Sequence, residues 1–260
     1  MLRTRIFHFS AIAALALNSN IASAHLNIAV EDAVAVGDGS REYKEGSSAF
    51  LDVNIAHDCT SETGQHYATN GITVLLPNTA SAPATYTSDT DGNLYGANAV
   101  MGVKQRMNPT FKKNIVIKGP VEPFYSHGIN TEDARALKWL IGRVDNDHYE
   151  NLEFKASFPT IDPTSCVTKI NVYFPSMQYC QNGYKAAWIN TAESKYGLGD
   201  AKTHVYDDYA AYVTVVRTSD LPSSCGGEGE TIEVMPSVED INTYLDMHSS
   251  GMIQRHTDDD

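Results

Sequence analysis

Apolar and polar residues alternate with a period of two along most of the chain. In a β-strand successive side chains point to opposite faces, so this period predicts strands. Clusters of Gly, Pro, Asn and Asp separate the stretches and are typical of turns. About eight short strands without a long helical run predict an all-β fold, an antiparallel β-sandwich of the immunoglobulin-like or cupredoxin-like class. The predicted strands lie within residues 25–30, 49–56, 71–77, 114–119, 152–159, 168–175, 184–189 and 210–217.

Three segments depart from this alternation. Residues 130–142 place acidic residues before spaced apolar ones, which hints at a helix, although Trp139 could equally open a strand. Residues 79–109 are small, polar and rich in turn formers, so they predict a long loop within an insertion over residues 79–128. Residues 226–260 hold a Gly/Glu linker, a short possible helix and a polar end. They predict a loosely docked or poorly ordered acidic tail that contains Met and His.

Residues 1–24 have the pattern of a secretory signal peptide. Two arginines stand near the start, an apolar run follows from Ala11, and an Ala-Ser-Ala sequence ends at Ala24. No later stretch approaches the roughly 18 consecutive apolar residues of a membrane helix. We therefore expect an exported periplasmic or extracellular protein without membrane insertion. Cleavage after Ala24 leaves 236 residues that begin at His25 and form one sandwich domain over residues 25–225, followed by the tail.

The chain is acidic. Its formal charge is −13, and it becomes −15 without the signal peptide, because that segment holds two arginines and no acidic residue. Such a charge repels nucleic-acid phosphates and attracts cations. It excludes nucleic acid as an expected partner, although acidity also serves to keep a secreted protein in solution.

Four cysteines follow the signal peptide. An even number in an oxidising compartment predicts two disulfides, and the sequence alone permits three pairings. None of the four belongs to a CxxC pair or to a Cys/His cluster, so a thiolate metal site is not expected. The cysteines are Cys59, Cys166, Cys180 and Cys225.

His25 would become the amino terminus of the mature protein. A terminal histidine offers two nitrogen ligands from one residue, the α-amine and the ring Nδ1. Nitrogen donors in a tetragonal plane suit Cu(II), which also binds most tightly among the divalent first-row ions. The sequence therefore makes His25 a candidate copper ligand, and the alternative is that its position is an accident of cleavage.

The order of landmarks after His25 resembles the YcnI-like copper-binding family. The shared landmarks are a signal peptide that ends at a histidine, a strand followed by a cysteine, a strand closed by proline and a central tryptophan. A Glu-Phe strand that ends in proline follows. The most specific landmark is the pattern F-P-x-x-Q-x-C-x-x-G followed by a tryptophan, at residues 174–188. The resemblance covers residues 25 to about 190, and the stretch 79–128 has no clear counterpart in compact members.

The resemblance implies one copper(II) ion per chain, held by the amine and Nδ1 of His25. It also implies a tryptophan beside the ion, which matches Trp188, and a strand glutamate. Alignment of the Glu-Phe strand puts Asn151 where the carboxylate should be, and a shift of two residues along the strand would bring Glu153 to that face. Trp188 could equally be an ordinary core aromatic.

The resemblance has two further implications. It pairs Cys59 with Cys180, which leaves Cys166 for Cys225. It also implies copper delivery, storage or uptake rather than catalysis, with a membrane copper importer or another periplasmic copper carrier as the partner.

Two alternatives from other functional classes stay open. A copper monooxygenase that acts on polysaccharide would need a second histidine across from His25, and His57, His127 and His148 are the residues to test. A metal-free envelope interaction module would bind no copper at all. The sequence has no GxSxG motif and no phosphate-binding loop that would favour another enzyme class.

Overall fold

The computed structural model describes most of the chain after the predicted signal peptide. The described residues are 27–29, 34–35, 41–61, 63–77, 81–88, 91–189, 194, 199–206 and 210–245. His25 and the residues after 245 lie outside the described part.

Strands make up nearly all of the regular structure in the described part of the chain, which also holds one α-helix, α1 (Val238–Tyr244), and two 3₁₀ turns, Gln181–Gly183 and Ser223–Cys225. The strands in chain order are β1 (Asn27–Ala29), β2 (Val34–Ala35), β3 (Arg41–Lys44), β4 (Ser48–Ile55), β5 (Cys59–Thr60), β6 (His66–Tyr67), β7 (Thr69–Leu75), β8 (Ser81–Ser88), β9 (Leu94–Asn98), β10 (Met101–Gln105), β11 (Lys113–Tyr125), β12 (Ile129–Val144), β13 (Glu150–Ser157), β14 (Thr160–Ile161), β15 (Val167–Phe174), β16 (Ser176–Cys180), β17 (Lys185–Trp188), β18 (Gly199–Asp200), β19 (Thr203–Tyr206), β20 (Ala211–Val216) and β21 (Glu230–Val234).

The strands form a β-sandwich, as the sequence predicts. A seven-stranded sheet runs in the order β11-β12-β7-β16-β17-β19-β18. Opposite it lie a four-stranded sheet, β1-β4-β13-β10, and a five-stranded sheet, β2-β3-β20-β15-β21. One hydrophobic cluster takes side chains from all three sheets, including Trp139, Phe154 and Val172. Most neighbouring strands are antiparallel, and β15–β21, β17–β19 and β20–β3 are parallel.

The hint of a helix over residues 130–142 is wrong, and the alternative of a strand at Trp139 is right, because these residues lie in strand β12. This strand pairs with β11 on one side and β7 on the other. Its residues from Asp133 to Leu140 are all buried, since apolar clusters cover both faces of the sheet. A strand buried on both faces loses the apolar/polar alternation that identifies strands in a sequence.

The stretch predicted as a long loop over residues 79–109 contains strands. β8 and β9 pair with each other, and β14 adds to β8. β10 pairs with β13 and so completes the four-stranded sheet. Small and hydroxyl-bearing residues dominate β8, so its sequence carries no apolar period.

The described part of the tail is docked, in contrast to the prediction of a loose segment. β21 pairs in parallel with β15. Helix α1 begins at Ser237, whose side chain accepts a hydrogen bond of 3.1 Å from the Asp240 backbone N–H. Ile241 and Leu245 then pack on the outer face of the seven-stranded sheet, in a cluster with Leu75 and Met177.

Both disulfides predicted through the resemblance are confirmed. Cys59 is bonded to Cys180, and Cys166 is bonded to Cys225. Cys59 follows the four-stranded sheet and Cys180 ends a strand of the seven-stranded sheet, so this bond joins the two layers. Two disulfides are typical of a protein that folds in an oxidising compartment outside the cytoplasm.

Candidate metal site

The first described strand, β1, lies at the edge of the four-stranded sheet, close to polar residues of β4. Asn27 of β1 is paired with Asn54 of β4, and Asn54 is paired with Asn151 of β13. The Asn54 side-chain Nδ2 donates a hydrogen bond of 2.6 Å to Asn151 Oδ1. Asn151 is exposed. Two amide side chains therefore lie together, accessible to solvent, on the two strands that follow β1 in the order of the sheet.

His25 lies outside the described residues, so the structure gives no position for its ring or amine. A chain extends by at most about 3.6 Å per residue. His25 precedes Asn27 by two residues, so covalent geometry keeps their α-carbons within about 7 Å of each other.

Asn151 and Glu153 lie on the same outward face of β13. The burial of this strand alternates, with Leu152 and Phe154 in the core and Asn151 and Glu153 on the other side. Arg106 donates a 3.1 Å hydrogen bond from its guanidinium to Glu153 Oε2, and its backbone N–H donates to the Glu153 carbonyl at 2.9 Å. A metal ion at Glu153 would have to compete with this exposed arginine.

Glu150 is held by the loop that precedes β11. Asn108 Nδ2 donates to Glu150 Oε1 at 3.0 Å and to the Asn151 carbonyl at 3.2 Å. The Thr110 hydroxyl donates to Glu150 Oε2 at 2.5 Å. Both carboxylate oxygens of Glu150 thus serve to fix the loop beside Asn151.

Trp188 lies at the end of β17 and is buried. It belongs to the central hydrophobic cluster together with Leu152 and Phe154. Because Asn151 and Glu153 alternate with those two residues, their side chains point away from the core that contains Trp188. The structure therefore places the three aligned residues on two different sides of β13.

Trp139 contacts the strand segment next to Glu153. Its indole Nε1 donates a 3.3 Å hydrogen bond to the carbonyl of Arg106, the residue that pairs with Glu153. The neighbouring Gln105 side chain donates to the Lys138 carbonyl at 2.9 Å. The sequence singles out Trp139 as the central tryptophan of the resemblance and as a residue that could open a strand, and neither feature predicts this contact.

The histidines of the described part are all exposed. His66 Nδ1 lies 2.9 Å from Asp58 Oδ1, and Gln178 Nε2 donates to the backbone carbonyl of His57 at 2.7 Å. Within the described part of the chain, three or more His, Cys, Asp or Glu side chains nowhere gather as a metal site would require. The exposed histidines are His57, His66, His127, His148 and His204.

The side-chain oxygens of Asn151 and Glu153 fit copper only in combination with nitrogen ligands. An amide oxygen such as Asn151 Oδ1 is a weak ligand, and the Glu153 carboxylate is already paired with Arg106. Imidazole and amine nitrogens suit copper(II) better than oxygen alone. The arrangement can therefore complete a copper site only if the amino terminus supplies the nitrogens.

A known family model matches part of the chain. Residues 93–214 match the family model described as a domain of unknown function, DUF1775. This is the domain of YcnI-like proteins. The match supports the resemblance at the level of the domain, and the family description states no ligand. It includes residues 93–128, which fall in the stretch predicted as an insertion.

One solved structure that is similar to the chain is an uncharacterized protein from Nocardia farcinica, described as having an immunoglobulin-like fold. It is 14% identical, the similarity covers 76% of this chain and 100% of that chain, and the TM-score is 0.38. No curated protein matches the sequence. In the described residues, no helix has both the length and the apolar character needed to cross a membrane.

Proposed function

We propose that this chain is an exported copper(II)-binding protein. The mature amino terminus, His25, holds one copper(II) ion through its α-amine and ring Nδ1. The protein serves copper delivery, storage or uptake, and a membrane copper importer or another periplasmic copper carrier is its partner. The DUF1775 match and the two disulfides support the family and the oxidising compartment that this proposal requires.

The observation that carries the proposal is the position of β1. This strand begins at Asn27 and is paired with β4 beside Asn54 and Asn151. Pairing in the sheet anchors the chain two residues after His25. Cleavage after Ala24 would thus place the new amine and the His25 imidazole two residues before a strand of the sheet that carries exposed amide oxygens.

Asn151 or Glu153 supplies an oxygen ligand in the proposed site. Asn151 Oδ1 accepts one hydrogen bond from Asn54 and has a second lone pair available. Glu153 would first have to leave Arg106, which is an exposed pair of low strength. Trp188 enters the proposal only as a core aromatic, because its ring belongs to the buried cluster.

Exposure of Asn151 suits transfer of the ion. A carrier must release copper to a partner, and a site at a chain end, open on one side, allows the partner's ligands to approach.

Isothermal titration with copper(II) tests the proposal. The mature chain that begins at His25 should bind one equivalent, and His25→Ala should lose most of the affinity because the imidazole is gone. Asn151→Ala should weaken binding less, since it removes at most one weak oxygen ligand. Equal binding by the mature chain and His25→Ala would overturn the proposal.

A further inference from the structure

A cavity lies at the opposite end of β4 and β13 from the candidate metal site. It has a volume of about 290 Å³ and opens between the start of β4, the end of β13, the end of β8 and the tip of β11. Six serine and threonine side chains line it, and we call it the hydroxyl pocket. They are Ser48, Thr87, Ser88, Ser126, Ser157 and Thr160.

Among the described residues, no charged side chain lines the hydroxyl pocket. Phosphates and carboxylates are bound through cationic side chains or clusters of N–H donors, and cations through carboxylates. The lining therefore selects a neutral ligand.

The hydroxyl groups are arranged to serve both as donors and as acceptors. The Ser48 and Ser157 oxygens lie 2.7 Å apart, so one donates to the other and the second hydroxyl hydrogen is left for a ligand. Thr87 Oγ1 accepts a 3.0 Å hydrogen bond from the Tyr125 backbone N–H, which leaves its own O–H as a donor. A ligand with several hydroxyl groups matches this set.

The floor of the hydroxyl pocket is apolar. It consists of Met101, Phe124 and Phe158, all largely buried. The Phe158 ring is supported from behind by Tyr43, at 5.1 Å between ring centroids. An apolar floor below a rim of hydroxyls matches a sugar ring, which has C–H groups on its face and hydroxyls around its edge.

We propose that the hydroxyl pocket binds one neutral sugar unit. Its volume lies at the lower end of the roughly 300–1,000 Å³ found for small-molecule sites, so it holds a single ring rather than an extended oligosaccharide. This inference does not depend on copper binding, because the pocket shares no residue with the candidate metal site.

Titration with uncharged methyl glycosides of glucose, galactose and mannose, followed by NMR or calorimetry, tests the inference. At least one should bind to the intact mature chain, and glucuronate should bind more weakly than the matching neutral glycoside. Thr160→Val keeps the side-chain shape and should weaken binding about fivefold, the effect of one lost hydrogen bond. Ser126→Trp fills the mouth of the pocket and should abolish binding.

Asn146→Trp is the matched control, because Asn146 is also exposed in a turn but lies outside the pocket. Its affinity for the glycoside should equal that of the unaltered chain. The inference is wrong if none of the three glycosides binds at tens of millimolar, if glucuronate binds as tightly as the neutral sugar, or if Ser126→Trp binds unchanged.

Discussion

Glu45 joins three segments of the chain through one carboxylate. Its Oε1 accepts hydrogen bonds from the Thr218 backbone N–H at 2.6 Å and from the Thr218 hydroxyl at 2.9 Å. Its Oε2 accepts from the Ile161 backbone N–H at 2.7 Å. Partial burial raises the pKa of this carboxyl, but the hydrogen bonds outweigh that effect and the net pKa lies below 4.5.

We expect the contribution of Glu45 to stability to depend on pH. Because its folded pKa is lowered, this contribution is present above pH 4.5 and is lost as the pH falls through the folded pKa. Glu45→Gln should cost roughly 1–2 kcal/mol at pH 7. Urea unfolding at several pH values checks this, and a Gln variant whose deficit stays constant below pH 4.5 would contradict it.

Gly142 is a second residue with a specific steric role. A β-carbon at this position would lie 2.4 Å from the ring of Phe111, which is itself buried. Phe111 belongs to the loop in which Asn108 and Thr110 hold Glu150. Absence of a side chain at Gly142 therefore allows this loop to sit beside the candidate metal site.

Gly142→Ala should destabilise the protein by about 1–3 kcal/mol, because the buried ring must shift. It should also disturb the backbone around Asn151 through the displaced loop. Thermal unfolding measures the first effect, and amide chemical-shift changes at Asn108 and Asn151 measure the second. An unchanged melting temperature together with unchanged shifts would show that the Phe111 ring moves freely.

Contacts of single residues also show which parts of the candidate metal site could not be predicted from the sequence. Asn151 and Glu153 share a face, as strand alternation predicts, but the sequence cannot say that Arg106 covers Glu153. It also cannot tell which of two tryptophans lies next to that strand, because this depends on how two sheets pack. Both tryptophans belong to the central cluster, and Trp139 also donates a hydrogen bond to the Arg106 carbonyl.

Helix α1 is attached to the seven-stranded sheet by the contacts of a few side chains. Arg135 of β12 is nearly buried and is paired with Asp240 of the helix. Its guanidinium donates a hydrogen bond of 3.0 Å to the Pro120 carbonyl and lies 4.5 Å from the centre of the Tyr244 ring. The Tyr179 hydroxyl donates a 2.6 Å hydrogen bond to the Leu245 carbonyl. These contacts fasten the helix over the outer face of the seven-stranded sheet.

Arg135→Ala should cost about 3 kcal/mol, because it removes the guanidinium that pairs with Asp240 in a largely buried position. Amide hydrogen exchange should then accelerate first in residues 238–245. Arg143→Ala is the control, since the Arg143–Asp145 pair is exposed and should contribute at most about 1 kcal/mol. Equal losses of stability in the two variants would contradict this account of α1.

Strands with one buried face could be predicted from the sequence, and β7, which is buried on both faces, was predicted as well, but β12 was not. β4 and β13 alternate between buried and exposed positions, so their sequences show the period of two. β12 is buried on both faces, and short strands such as β10 have too few residues for a period. The docking of α1 was missed because it depends on the sheet that the helix covers.

At the scale of the whole molecule, two disulfides tie distant segments of the sandwich. Cys59–Cys180 spans 121 residues and links the two layers, with both cysteines buried. Cys166–Cys225 spans 59 residues and links the start of β15 to the segment before β21. A cross-link over a longer span removes more entropy from the unfolded chain.

Replacement of each cysteine pair by two serines should show which disulfide contributes more to stability. Loss of either bond should cost about 2–5 kcal/mol, and the Cys59/Cys180 variant should be the less stable by about 0.6 kcal/mol or more. Burial of the first pair acts in the same direction. Denaturant unfolding of the two double variants measures the difference, and a less stable Cys166/Cys225 variant would reverse the expected order.

Copper binding as we propose it requires that cleavage expose the α-amine of His25 next to its imidazole. Its most direct test is electron paramagnetic resonance with one equivalent of copper(II), on protein whose mass confirms that it begins at His25, beside the same chain with one alanine before His25. The added alanine keeps the imidazole but separates it from the terminal amine. The account predicts a tetragonal, nitrogen-rich spectrum for the His25 form and a different, weaker site in the extended form. Identical spectra, or no bound copper in either protein, would contradict it.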